Sequence, residues 1–320
     1  MKIGILGTAD IAFRRFLPAL KKCPEFTYAG VASRTPEKAM RFVETYGGQA
    51  YPSYDALLDD KSVDAVYVPL PPALHYDWGR KVLESGKHLL MEKPFTTSLA
   101  ETEGLLRLAE KKGLVVHENY MFLYHSQLAN VKTMIADGTL GEIRLIRASF
   151  GFPKRGGDDF RYKKELGGGA LLDCGGYPVR LALELLGESA KVTQARLIQP
   201  QGYEVDLFGN AVLENDGGLC AQLSFGLDNA YQCQLEVWGS KATLVAPRIF
   251  TAGADFKPQI ILRTSFSETQ MELESDDSFL HSIQQFHSGI VDRSKRVTAE
   301  IHRQAKALLT IQKMGGFICR

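Results

Sequence analysis

The chain lacks a long apolar run. None of its hydrophobic segments reaches the roughly 18 residues that a membrane-spanning helix needs, so the sequence predicts no transmembrane segment. It also lacks the start of a secretory leader, because Met1 to Gly7 enters a predicted strand at once. Together these absences lead us to expect a cytoplasmic protein.

Cysteine is scarce and scattered. The 320 residues include five cysteines without a Cys-x-x-Cys spacing: Cys23, Cys174, Cys220, Cys233 and Cys319. An odd, irregularly spaced set argues against a disulfide framework and against a zinc site. A reducing cytoplasm suits such a set. No pair of histidines has a metal-ligand spacing, so we expect no bound metal.

The chain has no excess of one charge. Its 38 Lys and Arg residues balance 37 Asp and Glu residues, which gives a formal net charge of +1. It contains no basic cluster interleaved with aromatic residues, so nucleic acid is not an expected partner. We expect a small molecule or another copy of the chain as the partner.

Strand-like and helix-like segments alternate through the first third of the chain. Helices are predicted at 12–22, 36–46, 75–85 and 99–112, and apolar strands at 2–6, 26–33, 65–69, 88–91 and 115–118. Such alternation is typical of βαβ units with a parallel sheet. Residues 1–120 are therefore predicted to form a doubly wound α/β domain.

The pattern changes near residue 120. Residues 191–274 are almost all strand-like, and helices are predicted at 127–136, 169–186, 279–292 and 300–313. Alternating polarity, as in Leu219 to Phe225, indicates an antiparallel sheet with one buried face. Residues 121–320 are therefore predicted to form an α+β domain on a large, mostly antiparallel sheet.

The turn after the first strand has the pattern of a dinucleotide-binding turn. It stands where G-x-G-x-x-G/A belongs, between a strand and a helix, with alanine in place of the middle glycine: Gly7-Thr8-Ala9-Asp10-Ile11-Ala12. In this arrangement the backbone approaches a pyrophosphate at the helix N-terminus. We expect Gly7, Thr8, Ala9, Asp10 and Ile11 to contact a cofactor. A tight turn without a ligand is the alternative.

The end of the second strand indicates which cofactor. Ser33-Arg34-Thr35 stands there, with Lys38 one turn further on, and no carboxylate is present to hold the ribose hydroxyls of NAD. A guanidinium and a hydroxyl suit a 2′-phosphate. The sequence therefore favours NADP(H) over NAD(H), although a solvated arginine would leave the same pattern.

Two further loops follow strands of the same sheet. Leu70 and Pro71 belong to a proline-rich loop that is predicted to wall the nicotinamide end, and His75 follows as a contact or as the start of a helix. After the next apolar strand comes Glu92-Lys93-Pro94. Charges at the carboxyl end of a buried strand lie where open α/β sheets bind ligands.

Taken together, these segments resemble the Gfo/Idh/MocA oxidoreductase family (glucose–fructose oxidoreductase/inositol dehydrogenase-like). Three stretches carry the resemblance: residues 4–12, then Gly86-Lys87-His88 with Glu92-Lys93-Pro94, and Gly167-Gly168-Gly169 followed by Asp173 and Tyr177-Pro178. The resemblance implies an N-terminal Rossmann domain and a C-terminal domain that binds substrate and joins the subunits of an oligomer.

Within the family the chain is most similar to sugar 3-ketoreductases that act on nucleotide-linked keto-sugars. Residues 9–15, 118–123 and 162–180 carry this closer likeness. Many relatives have histidine where this chain has Tyr177. The departure makes inositol a less suitable substrate and assigns the proton chemistry to a phenol.

The expected chemistry is reduction of a ketone, which requires a positioned acid. Free tyrosine has a pKa of ~10, and a nearby ammonium lowers it, so Lys93 and Tyr177 are predicted as the acid/base pair. Glu92 and Lys93 are also expected to reach the cofactor. The predicted substrate contacts are Asp173, Arg161, Asn119 and Tyr120.

Other functions remain open at this stage. The same residues suit an NADP-dependent dehydrogenase of a free sugar or of a trans-dihydrodiol. A non-catalytic NADPH-binding sensor is an alternative of another class. In each case we expect a homodimer or homotetramer formed through the C-terminal sheet.

Overall fold

The computed structural model describes the backbone of residues 1–319 and the side chains of residues 1–316. The side chain of Cys319 and all of Arg320 lie outside the described residues. The chain divides into two compact units. The first combines Met1–Tyr120 with Phe279–Ala305, and the second combines Met121–Ser278 with residues from Lys306 onward.

The first unit is built on a six-stranded parallel sheet. The strand order is β3-β2-β1-β4-β5-β6, which is the order of a doubly wound dinucleotide-binding fold. Its strands are β1 (Lys2–Leu6), β2 (Thr27–Ala32), β3 (Gln49–Tyr51), β4 (Ala65–Val68), β5 (His88–Met91) and β6 (Val116–Glu118). The sequence pattern predicted every strand except β3, which is three residues long and too short to show a pattern.

Helices cover this sheet. They are α1 (Leu17–Leu20), α2 (Pro36–Tyr46), α3 (Tyr54–Asp59), α4 (His75–Glu84) and α5 (Leu99–Lys112). Apolar side chains on α4 and α5, such as Val82 and Leu105, are fully buried with the strand residues Val66 and Met91. Burial on both faces of the sheet explains why β4 and β5 read as continuous apolar runs.

The second unit is built on a nine-stranded, mostly antiparallel sheet in the order β14-β13-β12-β11-β7-β10-β9-β8-β15. The helices α6 (Ser126–Ala136) and α7 (Gly176–Leu186) belong to this unit, and α7 packs against β7 and β10. The strands are β7 (Ile143–Gly151), β8 (Lys191–Gln199), β9 (Phe208–Glu214), β10 (Cys220–Gly226), β11 (Gln232–Gly239), β12 (Thr243–Ala246), β13 (Gln259–Arg263), β14 (Glu268–Glu272) and β15 (Phe317–Cys319).

Two late helices follow β14, namely α8 (Ser278–Val291) and α9 (Thr298–Gly315). The ring of Phe286 on α8 stacks on Phe26 at 5.8 Å between centroids. Contacts of this kind join Phe279–Ala305 to the first unit. The sequence pattern had assigned this segment to the second domain, because continuity along the chain says nothing about which core a helix packs on.

Two helices begin with a π-helical turn that the sequence pattern did not predict. Ala12–Phe16 is a π turn before α1, and Leu171–Gly175 is a π turn before α7. Single π turns are uncommon and occur frequently at functional sites. Both of these follow a glycine-containing loop that the sequence marked as part of a site.

The described residues lack both a membrane-crossing helix and a cluster of metal ligands. None of their helices combines the length and the apolar character that crossing a membrane requires. Within the same part of the chain no group of three or more His, Cys, Asp or Glu side chains is arranged to hold a metal ion.

Candidate active site

The turn after β1 requires glycine at Gly7. Its φ is +96°, and a Cβ atom there would lie 2.7 Å from Cδ2 of Leu70. The Gly7 N–H donates to the carbonyl of Ala32 at 2.8 Å, which ties the turn to the end of β2. Glycine is therefore required for the tight turn itself, which is the role of the first glycine in a dinucleotide-binding turn.

The end of β2 is organised around the hydroxyl of Ser33. It lies 3.4 Å from the hydroxyl of Thr8 and accepts a hydrogen bond from the Thr35 N–H at 3.1 Å. Arg34 and Lys38 are exposed beside it. Polar loops from two strands therefore meet at this edge of the sheet.

Tyr54 is a residue that the sequence reasoning missed. Its ring packs edge-on against Trp78 at 4.7 Å, and the Arg34 guanidinium is close enough to affect its phenol. Burial raises the pKa of the Tyr54 phenol, although the Arg34 guanidinium opposes the shift. No motif includes Tyr54, and the short strand that precedes it, β3, was not predicted from the sequence.

His75 joins the two loops at the ends of β4 and β5. Its side chain is fully buried, with Nδ1 2.8 Å from the Pro94 carbonyl and Nε2 2.8 Å from the Leu70 carbonyl. Burial lowers its pKa to about 4. Both carbonyl oxygens can only accept, so the neutral ring donates to one of them at a time while it lies packed between the two loops. Contact of His75 with the cofactor stays a prediction.

Glu92 is the centre of a buried polar network. Its Oε1 accepts hydrogen bonds from the hydroxyl of Tyr67 and the amide of Asn119, both at 2.6 Å. The Asn119 Oδ1 in turn accepts one from the Ser282 hydroxyl at 2.8 Å. Burial raises the pKa of Glu92, and the two hydrogen bonds oppose the rise. The network holds the backbone from which Lys93 projects, since the Lys93 N–H donates to Oε2 of Glu92 at 3.3 Å.

Asn119 and Tyr120, predicted as substrate contacts, are both buried in the first unit. Asn119 is 2% exposed and Tyr120 is 1% exposed. The Tyr120 hydroxyl accepts a hydrogen bond from the Gln304 amide at 3.2 Å. These placements favour a supporting role for both side chains, and their contact with substrate stays a prediction.

In the second unit, Arg161 and Asp173 form an ion pair. Nε of Arg161 donates to Oδ2 of Asp173 at 2.7 Å, and Nη1 donates to Oδ1 of Asp159 at 3.0 Å. Burial lowers the pKa of Arg161, but the two carboxylates outweigh it and leave the pKa raised. The structure thus brings two predicted substrate residues into direct contact. Asp159, which the sequence reasoning did not single out, holds the other edge of the Arg161 guanidinium.

Tyr177 stands one turn of helix after Asp173 in an aromatic surrounding. Its ring centroid lies 4.8 Å from that of Phe150, 5.7 Å from Phe122 and 5.8 Å from Phe250. The side chain is 7% exposed. Such packing locks the orientation of the ring and restricts water around it.

Family comparisons match both parts of the chain. Residues 1–120 match the oxidoreductase family with an NAD-binding Rossmann fold, and residues 128–245 match the Gfo/Idh/MocA C-terminal domain. The chain is 41% identical over 291 residues to the dTDP-3,4-didehydro-2,6-dideoxy-alpha-D-glucose 3-reductase of Actinomadura kijaniata, covering 91% of this chain and 88% of that protein. The corresponding reductase of Streptomyces violaceoruber is 42% identical over 291 residues, covering 91% and 85%.

A solved structure shares the whole fold. The crystal structure of a 3-ketoreductase from Actinomadura kijaniata in complex with NADP and TDP-benzene matches with a TM-score of 0.96 and 38% identity, covering 100% of this chain and 99% of that one. The same protein was also crystallised as a tyrosine-to-phenylalanine variant and as a lysine-to-alanine variant. The two substituted residues are 84 positions apart, which is also the separation of Lys93 and Tyr177.

These matches confirm the predicted fold class and the predicted enzyme class. The N-terminal sheet is that of a Rossmann domain, and the large antiparallel sheet follows it in the chain. The protein belongs to the Gfo/Idh/MocA family of oxidoreductases.

Proposed function

We propose that this chain is an NADPH-dependent reductase of the 3-keto group of a dTDP-linked 2,6-dideoxy sugar. The observation that carries the proposal is 41% identity over 91% of the chain to a reductase of that substrate class. The full-length fold match to a 3-ketoreductase complexed with NADP and TDP-benzene also supports it.

The first unit has the features that NADPH requires. The tight turn at Gly7 suits the pyrophosphate, and Arg34 and Lys38 are exposed cations suited to a 2′-phosphate. Thr8, Ser33 and Thr35 supply hydroxyls at the same edge of the sheet. The bound cofactor supplies the hydride, and the protein must supply the proton and the orientation.

We assign Lys93 and Tyr177 to the proton transfer. The equal 84-residue separation of the lysine and tyrosine substituted in the related 3-ketoreductase supports this assignment. In reduction, the carbonyl oxygen gains negative charge and takes a proton from the phenol of Tyr177. The Lys93 ammonium stabilises the resulting phenolate and polarises the carbonyl.

The Arg161–Asp173 pair is assigned to the sugar. An ionised Asp173 held by Arg161 accepts hydrogen bonds from sugar hydroxyls without leaving an unpaired charge in a half-buried place. Asp159 keeps the guanidinium fixed from its other edge. The ion pair therefore contributes orientation and leaves the proton transfer to Lys93 and Tyr177.

The test is turnover of a dTDP-linked 3-keto-2,6-dideoxy sugar, followed as loss of NADPH absorbance. Tyr177→Phe and Lys93→Ala are expected to lower kcat by about 10²-fold or more, in the range of positioned acid–base catalysis, with NADPH binding retained. Matched controls are Tyr231→Phe and Lys112→Ala, whose side chains form surface hydrogen bonds elsewhere.

Other substrates separate the remaining possibilities. Oxidation of a free sugar or of a trans-dihydrodiol with NADP+, without turnover of the keto-sugar, would replace the proposal by a dehydrogenase. Tight NADPH binding without turnover of any of these compounds would favour a sensor. Full activity of both site variants would refute the acid/base assignment.

A further inference from the structure

Asp206 holds the start of the helix that carries Asp173 and Tyr177. It lies in the segment between β8 and β9. Its backbone carbonyl accepts a hydrogen bond from the Ala170 N–H at 2.8 Å, and its Oδ2 accepts one from the Leu171 N–H at 2.8 Å. The first N–H groups of a helix have no partner within the helix. Asp206 therefore supplies partners for two of them.

The segment around Asp206 is itself anchored to the large sheet. The Leu207 N–H donates to the Ile198 carbonyl at 2.9 Å, and the Leu227 N–H donates to the Leu207 carbonyl at 2.7 Å. The side chains of Val205 and Leu207 are buried. The Asp206 carboxylate therefore lies in a segment that is hydrogen-bonded to the sheet. It fixes the start of the helix relative to that sheet.

Gly169 makes this contact sterically possible. Its φ is +113°, and a Cβ atom there would lie 2.5 Å from Oδ1 of Asp206. The Gly169 N–H donates to the Arg161 carbonyl at 2.9 Å. Because residue 169 is glycine, both the Asp206 carboxylate and the Arg161 backbone can pack against the first turn of the helix.

The Asp206 carboxylate is buried, although burial removes the water that would solvate its charge. Asp206 is 7% exposed, and burial raises its pKa to about 6, although the Leu171 N–H opposes the rise. Burying an ionised group is unfavourable unless its surroundings compensate. The positive end of the helix provides such compensation, since anions are stabilised near helix N-termini.

We propose that Asp206 is a positioning residue of the active site. By holding the first turn, it sets the register of the helix and so the placement of the Asp173 carboxylate and the Tyr177 phenol. It touches neither substrate nor cofactor in this role. The inference rests on the proposed function, because only that function makes the placement of Asp173 and Tyr177 matter for turnover.

The experiment compares Asp206→Ala and Asp206→Asn in the full chain. Asp206→Ala removes the acceptor and is expected to lower kcat about tenfold to hundredfold, the scale of a small misplacement of reacting groups. The KM for NADPH is expected to stay within about twofold, since the cofactor residues lie in the other unit. Asp206→Asn keeps an oxygen for the Leu171 N–H and is expected to restore most of kcat. Asp216→Ala, which removes an exposed carboxylate paired with Lys191, is the control.

Two outcomes overturn the inference. One is a folded Asp206→Ala protein with wild-type kcat. The other is an Asp206→Asn protein in which kcat and NADPH affinity fall together, because that pattern indicates general damage.

Hydrogen exchange at the Ala170 and Leu171 amides separates this inference from the proposed function. If the wild-type protein reduces no keto-sugar, the proposed function fails. Faster exchange in Asp206→Ala, but not in Asp216→Ala, would still support the anchoring by Asp206. Unchanged exchange in Asp206→Ala would refute it.

Discussion

Arg34 is the side chain on which the choice between NADPH and NADH is expected to depend most. It is exposed just after β2, near the Tyr54 phenol, and it follows Ser33, whose hydroxyl organises the loop. A charge-assisted hydrogen bond to a phosphate contributes about 1.5–3 kcal/mol. We therefore expect Arg34→Ala to raise the KM for NADPH by roughly 10- to 100-fold and to leave the KM for NADH nearly unchanged.

Steady-state kinetics with the two cofactors checks this expectation. Arg107→Ala is a suitable control, because Arg107 is exposed on α5 and pairs only with Glu103 among the described ion pairs. An equal rise in the KM for both cofactors would show that Arg34 acts on the fold of the loop and not on the 2′-phosphate.

At the scale of a single element, the helix after the glycine run depends on Gly169. Alanine at this position combines a positive φ with a collision against Asp206. Positive φ alone costs a non-glycine residue roughly 1–2 kcal/mol, and the collision adds to it. We expect Gly169→Ala to lower the free energy of unfolding by more than about 2 kcal/mol and to reduce kcat together with it.

Gly202→Ala provides the matched control for Gly169→Ala. Gly202 also has a positive φ, +86°, but a Cβ atom there would meet no atom within 4 Å. Urea unfolding of both variants separates backbone strain from the collision. Equal losses in the free energy of unfolding would show that the collision with Asp206 contributes nothing to the destabilisation by Gly169→Ala.

At the scale of the whole molecule, we propose that the open face of the large sheet joins two copies of the chain. Helix α7 covers one face of β7 and β10. The opposite face carries Phe208, which is 37% exposed, and Trp238, which is 40% exposed with Arg147 over its ring. Aromatic side chains such as these are enriched at interfaces between proteins.

Replacing Phe208 by glutamate is expected to weaken this association, because it puts a charge in place of an exposed aromatic side chain, and charged residues are depleted in the cores of protein interfaces. Light scattering after size-exclusion chromatography measures the change in mass. Phe266→Glu is the control, since Phe266 is 99% exposed at the turn between β13 and β14. A wild-type chain that is monomeric at assay concentration would contradict the proposal.

The sequence predicted most elements because their signals are local. Pro36 and Gly47 bound α2, and Ser98 and Gly113 bound α5, as helix-start and helix-stop residues. Gly7 and the polar residues after β2 indicated the cofactor-binding edge of the first sheet for the same reason. The resemblance that Glu92-Lys93-Pro94 and Asp173 with Tyr177 carried led to the family, which the comparisons confirm.

Only the tertiary structure decided which distant residues meet. Ser282 completes the network of Glu92, and Asp206 holds a helix that begins thirty-five residues before it. His75 turned out to be a buried link between two loops. Each of these contacts depends on how elements pack, and packing joins residues whose separation along the chain carries no periodic signal. Local chemistry determined the elements and the family, whereas long-range packing determined what supports the residues of the site.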